Sequence, residues 1–115
     1  MRMMIGAAMA AAAVVAVPAL AKDRTGYQAI AAGNLSQAQA TLAQERAIYP
    51  HRPELMLNQA AVFARTGRIA EARALYGEVL ARDAVALDLP DGNVASSHAV
   101  AERGIMRLTS AIAAR

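Results

Sequence analysis

Cysteine and tryptophan are both absent from this chain of 115 residues. The lack of cysteine excludes disulfides, thiolate metal sites, cysteine nucleophiles and lipid attachment through a thiol. Aromatic side chains are scarce, since the chain contains one Phe and three Tyr, so a core of large rings is excluded. Much of the apolar content is alanine, which buries little area per residue but is the best helix former. The composition therefore predicts one small, all-helical domain with closely approaching helices.

A run of basic residues is also missing, although the formal net charge is +3 and the pI is about 10. Such a balance first suggests nucleic acid or anionic membranes as partners. Eleven of the twelve basic residues are Arg, and they are interspersed with acids such as Glu45, Glu71 and Asp83. This mixture offers no phosphate-binding track, so we expect no nucleic-acid partner. A cytoplasmic nucleic-acid-binding helical protein remains the minor alternative.

The first 21 residues, MRMMIGAAMAAAAVVAVPALA, have the order of a secretory signal. Arg2 provides the basic start, residues 3–17 form the apolar centre, and Ala19 and Ala21 occupy the −3 and −1 positions of a cleavage site. We expect residues 1–21 to be a signal peptide that is cleaved after Ala21. The mature chain would then be periplasmic or secreted, with no stable membrane insertion.

An uncleaved anchor is the alternative for this segment. Residues 3–21 approach the length of about 20 residues that spans a bilayer, which would place the protein on the inner membrane. Alanine is only weakly apolar, however, and Pro18 interrupts the stretch where a spanning helix should continue. The pattern therefore favours a cleaved signal.

The chain aligns with itself at one offset, 34 residues. The stretch AGNLSQAQATL at positions 32–42 aligns with TGRIAEARALY at positions 66–76. A period of 34 is the length of a helix-turn-helix solenoid unit. The matching pairs are Gly33 with Gly67, Leu35 with Ile69, Ala38 with Ala72, Ala40 with Ala74, and Leu42 with Tyr76.

Each matched residue type has a physical role in a helical hairpin. Gly33 and Gly67 stand where one helix ends, and Gly adopts at little cost the positive φ that closes a helix. Ala38 and Ala72 stand one turn into the second helix, where a small side chain allows close helix approach. Pro53 begins the second unit well, because Pro is favoured at the first helical position.

The segment from Pro53 to Ala84 resembles a tetratricopeptide repeat (TPR). The preceding unit matches in its second helix, Leu35 to Ile48, and its first helix is short, Thr25 to Ala32 at most. The resemblance covers one and a half to two units. Val79 and Ala84 depart from the pattern, which usually has a small residue and a closing proline there. The residues that carry the resemblance are Gly33, Ala38, Pro50, Ala60, Phe63, Gly67, Ala72 and Tyr76.

In this family the first helix of each unit lines a peptide-binding groove, so the resemblance implies binding residues in this chain. An Asn at the sixth position of a unit can hold a peptide backbone or carboxylate, and Asn58 matches that position. Leu57, Ala61 and Arg65 would share its exposed face. The alternative role for Asn58 is a structural hydrogen bond to the neighbouring unit.

After Arg82 the repeat pattern changes. The sequence LPDGN at positions 89–93 is a turn signal, with Pro presetting φ and Gly taking a positive φ. Ser96 and Ser97 then offer helix caps, and Gly104 would allow close packing or a bend. The apolar stripe of this final helix consists of Ala101, Ile105, Leu108 and Ile112, extended backwards by His98 and Val94.

The predicted fold class is therefore all-α. It consists of a short right-handed solenoid of helical hairpins, about two TPR-like units with a C-terminal capping helix, after an N-terminal signal peptide. The predicted boundaries are 1–21 for the signal peptide, 22–84 for the repeats, 85–93 for a linker or turn, and 94–115 for the capping helix.

No residue pattern indicates catalysis, a cofactor or a metal. Ser97 and His98 are adjacent, and neighbours on a helix point in different directions, so they are not a nucleophile and base pair. His51 and His98 have no histidine partner at metal-ligand spacing. The acidic stretch around Asp88 has Leu at positions where a calcium loop needs oxygen ligands.

We therefore expect a non-enzymatic adaptor of the bacterial cell envelope that binds a peptide or a partner helix through the TPR groove. The alternative function is structural self-association as a homodimer. A stack of so few units leaves large uncovered faces that a second copy can bury.

Overall fold

The computed structural model describes residues 23–113, and this part of the chain is mostly helical. Its helices are α1 (Tyr27–Ala31), α2 (Leu35–Ile48), α3 (Pro53–Arg65), α4 (Ile69–Leu80) and α5 (Ser97–Ala113). Two short strands, β1 (Ala86–Asp88) and β2 (Val94–Ser96), lie between α4 and α5. The predicted signal peptide, residues 1–21, lies outside the described residues.

The turns between α1 and α2 and between α3 and α4 have the same backbone geometry. Gly33 has a φ of 80° and Gly67 has a φ of 83°, as the repeat pattern predicts. A side chain is strained in this left-handed region, whereas Gly enters it freely. Both glycines therefore end a helix in the way that their alignment at an offset of 34 indicates.

The hydrogen bonds of the two turns are equivalent as well. The amide of Asn34 donates to the carbonyl of Ala29, and the amide of Arg68 donates to the carbonyl of Phe63, both at 2.8 Å. These are the long-range bonds of the Schellman motif, which satisfies carbonyls that a helix end leaves free. In the second turn the Arg68 guanidinium also lies 4.8 Å from the centroid of the Phe63 ring. This contact covers the end of α3.

Helix α3 is the centre of the molecule, because eight consecutive residues, from Leu55 to Val62, are buried. It contributes to two clusters of apolar side chains. The first joins α3 to α4, β1 and α5, and contains Leu57, Ala60, Ala72, Leu75, Tyr76, Val79, Leu87, Val100, Ala101 and Leu108 among others. The second joins α3 to α1 and α2, and contains Ala29, Ile30, Ala38, Leu42, Leu55, Ala61 and Val62.

The alanines of the repeat pattern lie inside the core. Ala38, Ala60 and Ala72 are all completely buried, as the small-residue pattern predicts. Ala60 and Ala72 belong to the same cluster, which also holds Tyr76 and, at its edge, Phe63. The aligned apolar residue of the first unit, Leu42, is likewise fully buried.

The segment predicted as a linker forms a β-hairpin, and the last helix does not begin at residue 94. Strand β1 pairs antiparallel with β2, with Leu87 opposite Ala95. The predicted turn is present between them, with Gly92 at a φ of 87°. Alternation of burial across β1 explains the strand, since Leu87 is 3% exposed while both of its neighbours are exposed.

Helix α5 begins at Ser97, and Ser96 is its cap. The Ser96 hydroxyl accepts a hydrogen bond from the Ala99 amide at 3.0 Å, which confirms the predicted capping role. Ser97 is fully buried, and its hydroxyl accepts from the Val85 amide at 3.0 Å. These bonds fasten the start of α5 to the hairpin.

The buried face of α5 is close to the predicted stripe but not identical to it. Ala101 and Leu108 are buried, and Ile105 packs at the edge of the cluster, as predicted. Val94 is 64% exposed because it lies on a strand, so its place in the stripe was predicted wrongly. His98 is half-buried, and the Ile112 side chain lies outside what the structure describes.

Candidate binding surface on helix α3

The four residues predicted to line a groove all lie on α3, but they do not form an exposed face. Leu57 and Asn58 are fully buried and Ala61 is 5% exposed, whereas Arg65 is exposed. Leu57 is covered in the cluster that includes α5, and Ala61 in the cluster that includes α1. The prediction of an exposed groove at these residues is therefore wrong, because flanking segments of the same chain cover α3.

Asn58 makes a structural hydrogen bond to the segment before α1. Its Nδ2 donates to the backbone carbonyl of Thr25 at 2.9 Å, in a buried environment. Thr25 itself is 4% exposed. A buried amide needs such a partner, because leaving one unpaired costs about 1–3 kcal/mol. The alternative role of Asn58, a bond to a neighbouring unit, is the one that this contact matches.

Arg65 reaches the same segment from the other end of α3. Its Nη1 donates to the backbone carbonyl of Ile30 at 3.2 Å, near the end of α1. The Ile30 side chain is fully buried, in a cluster with Leu55, Ala61 and Val62 of α3. A cation at a helix C-terminus is favourable because the free carbonyls there carry partial negative charge.

Asp23 closes the beginning of α1. Its Oδ1 accepts from the Gln28 amide at 3.0 Å, and its Oδ2 accepts from the Ala29 amide at 3.1 Å. These amides belong to the first turn of the helix, where no backbone carbonyl is available to them. Helix α1 is thus held by a carboxylate at one end and by the Arg65 guanidinium at the other.

A second arginine joins α2 to α3. The Nη1 of Arg46 donates to Oε1 of Gln59 at 2.7 Å, and its Nη2 donates to the carbonyl of Pro50 at 2.9 Å. Pro50 lies in the link between α2 and α3, so Arg46 ties α2 to the segment that leads into α3. The Arg52 guanidinium lies 4.2 Å from the centroid of the Tyr49 ring in the same link.

Sequence reasoning missed Asp23, Thr25, Ile30 and Arg46. For Asp23 a signal was available, since an acid shortly before the helix-forming run YQAIA is typical of a cap. Thr25 acts through its backbone carbonyl, which no side-chain pattern reveals. Arg46 and Gln59 are far apart in sequence, so their contact depends on the packing of α2 on α3.

One cleft lies between α2 and the segment before α1, and another lies between α2 and α3. One has a volume of about 450 Å³ and the other about 370 Å³. The first is lined by Asp23, Arg24, Thr41, Glu45, Ile48 and Tyr49. The second is lined by Leu35, Ser36, Gln39, Val62, Phe63, Thr66 and Arg68.

The adjacent serine and histidine at the start of α5 are both engaged in structural contacts. Ser97 is bound to Val85, and Nε2 of His98 donates to the carbonyl of Arg82 at 2.6 Å. Within residues 23–113, no group of three or more His, Asp or Glu side chains is arranged to hold a metal ion. In the same range, no helix combines the length and the apolar character needed to cross a bilayer.

No protein-family model, curated protein or solved structure matches the chain. The resemblance to tetratricopeptide repeats therefore depends on the residues of the chain itself.

Proposed function

We propose that this chain is a small, exported, non-enzymatic interaction module of the tetratricopeptide type, which binds a peptide or a partner helix in the bacterial cell envelope. The observation that carries the proposal is the equivalence of its two helical turns. Gly33 and Gly67 have nearly equal φ angles, and the closing hydrogen bonds at the two turns are equal in length. A structural unit repeated at this period is typical of solenoids, whose faces bind other chains.

The residues between the turns support the same proposal. Ala38 and Ala72 are both fully buried, and Leu42 and Tyr76 follow them at the same spacing and are buried as well. The two units therefore use corresponding positions for their helix contacts. About two units and a capping helix would form a short right-handed solenoid.

Export is the second part of the proposal, and it rests on the sequence of residues 1–21. Asp23, two residues after the predicted cleavage site, already caps α1. Cleavage after Ala21 would leave this cap in the mature chain. Retention of residues 3–21 as an inner-membrane anchor is the alternative.

The test of the interaction function uses the exposed arginines of α3 and α4. The mature chain, residues 22–115, is immobilised and used to recover partners from envelope extract. Arg65→Ala removes an exposed guanidinium of α3 that also binds the Ile30 carbonyl, and Arg73→Ala removes an exposed one from α4 as the control. We expect a specific partner to be recovered by the unaltered chain and by Arg73→Ala but reduced with Arg65→Ala. Equal recovery by all three would show that the α3 surface is not used.

Self-association is the second candidate function, and exposed apolar side chains favour it. Ile48, Val94 and Met106 are 65%, 64% and 66% exposed. A second copy that covers them would bury apolar area that a single chain leaves in water. Light scattering at several concentrations distinguishes the two functions, because a stable dimer at all concentrations supports self-association and a monomer contradicts it.

A further inference from the structure

The segment from Asp23 to Ala31 packs on both α2 and α3, and its polar contacts with α3 are those that a bound peptide would make. Two of its backbone carbonyls accept hydrogen bonds from side chains of α3, that of Thr25 from Asn58 at 2.9 Å and that of Ile30 from Arg65 at 3.2 Å. One branched apolar side chain, Ile30, is fully buried against α3 and α2. We call residues 23–31 the N-terminal strap.

The strap is weakly built as a piece of secondary structure. Its helix, α1, has five residues, and an isolated helix shorter than about 12 residues is marginal in water. The side chains of Asp23 and Arg65 bind its two ends, and the backbone bonds of the Gly33 turn also close its C-terminus. The Thr25 hydroxyl is buried with no hydrogen-bond partner, and such a group costs free energy when the strap is docked.

The connection between the strap and α2 is a single short turn. Gly33 joins the strap region to α2, and a Cβ built on it would meet no atom within 4 Å. Release of the strap breaks the two backbone hydrogen bonds of this turn, from Gly33 to Ile30 and from Asn34 to Ala29. It also uncovers Leu42 of α2. The hydrogen bonds between α2 and α3, such as that of Arg46 with Gln59, do not involve the strap.

We propose that the N-terminal strap covers α3 as an internal ligand that can be displaced. The partner is a short helical peptide that takes the place of the strap and makes the same contacts with α3. Such a partner presents one branched apolar side chain in the place of Ile30 and backbone carbonyls to Asn58 and Arg65. This inference rests on the proposed interaction function and names the chemistry of its partner. It also explains why the family's groove position is buried here, since the chain's own segment fills it.

Attachment gives the strap an advantage over a free peptide. A tethered segment has an effective concentration in the millimolar range, so a partner must compete against it. The apparent affinity of the partner equals its intrinsic affinity multiplied by the fraction of molecules in which the strap is displaced. A change that weakens the strap without touching α3 therefore raises the affinity for a peptide added in trans.

The test uses the full mature chain and a fluorescent peptide, KDRTGYQAIAAG, with the sequence of residues 22–33. Ile30→Ala in the chain vacates the apolar position and leaves every α3 side chain unchanged. We expect the peptide to bind the Ile30→Ala chain about tenfold more tightly than the unaltered chain. The matched control peptide, with Ala in place of its isoleucine, should bind neither chain. Absence of peptide binding to a folded Ile30→Ala chain would overturn the proposal.

Hydrogen exchange on the unaltered chain supplies a second measurement that does not depend on any variant. The amides of Ile30 and Ala32 are bonded within the strap region, and the Ala72 amide is bonded to the carbonyl of Arg68 at the start of α4. We expect the first two to exchange at least about tenfold faster than the third, because strap release precedes global unfolding. Equal protection would show that the strap is an inseparable part of the core. Neither readout uses the unknown partner, so this inference can fail while the envelope pull-down succeeds.

Discussion

The ring of Tyr76 on α4 lies directly against the backbone of Gly104 on α5. A Cβ built on Gly104 would lie 2.6 Å from Cε1 and 2.7 Å from Cε2 of the ring, which is closer than two non-bonded carbon atoms approach each other. Gly104 therefore lets α5 come near enough to cover Tyr76, which is 3% exposed. This contact attaches the last helix to the second helical hairpin.

Substitution of Gly104 by Ala should destabilise the protein although it raises helix propensity. The added methyl group forces α4 and α5 apart, and overpacking of this kind costs about 1–3 kcal/mol. Gly77→Ala is the matched control, because Gly77 is an exposed helical glycine with no atom near its Cβ position. We expect that change to stabilise the protein by about 0.5–1 kcal/mol. Urea unfolding measures both, and an equal effect of the two substitutions would contradict the role of Gly104.

Gly67→Ala should lower the free energy of unfolding by about 1 kcal/mol, since Gly67 has a φ of 83°. The penalty is conformational, because a Cβ at this position meets no other atom within 4 Å. Gly67→Asn is the control, since Asn tolerates the left-handed region better than Ala. The melting temperature should therefore be highest for the unaltered chain, lower for Gly67→Asn and lowest for Gly67→Ala. A more stable Ala variant would contradict the helix-closing role.

The stability of the fold should decrease at high pH through Tyr76. Burial raises the pKa of the Tyr76 phenol above its ordinary value of about 10, and the nearby charge of Arg107 opposes part of this effect. The unfolded chain then loses this proton at a lower pH than the folded chain. The contribution of the protonated Tyr76 phenol to the free energy of unfolding is therefore fully present below about pH 10. It is lost as the pH rises through the folded-state pKa of Tyr76.

Tyr76→Phe removes the phenol and provides the comparison. Between pH 8 and pH 11, we expect the urea midpoint of the unaltered chain to fall relative to that of the Tyr76→Phe variant. A difference that stays constant over this range would show that Tyr76 does not contribute to the pH dependence.

Asn58→Ala should destabilise the fold by about 1–3 kcal/mol, because it leaves the buried Thr25 carbonyl without its side-chain donor. Asn93→Ala, in the exposed turn of the hairpin, is the control for loss of an asparagine. Denaturant unfolding compares the two. If both substitutions lower the free energy of unfolding by the same small amount, water replaces the Asn58 amide as the donor to the Thr25 carbonyl.

Export predicts the mass of the mature protein. Expression of the full chain in a bacterial host should yield a periplasmic product that begins at Lys22, because Ala19 and Ala21 suit signal peptidase. Ala21→Arg places a large charged residue at the −1 position and should leave the precursor uncut. Intact-mass measurement decides, and a soluble cytoplasmic product that retains Met1 would contradict export.

Much of the helical framework follows from local sequence. The sequence pattern predicted α2 from Leu35 to Ile48 and the start of α3 at Pro53, and the structure has both at these residues. These predictions succeed because Gly, Pro and the capping residues determine helix ends through local backbone geometry. The β-hairpin was missed because its strands have three residues each, and so short an alternation resembles a loop.

The sequence by itself determined the mostly helical class, the two glycine turns and the buried alanines, since these depend on periodicity and on φ. Tertiary structure alone decided that Leu57, Asn58 and Ala61 are covered rather than exposed. The physical reason is that their burial depends on segments far away in sequence, the strap on one side and α5 on the other. No local sequence pattern predicts which face of α3 those segments cover.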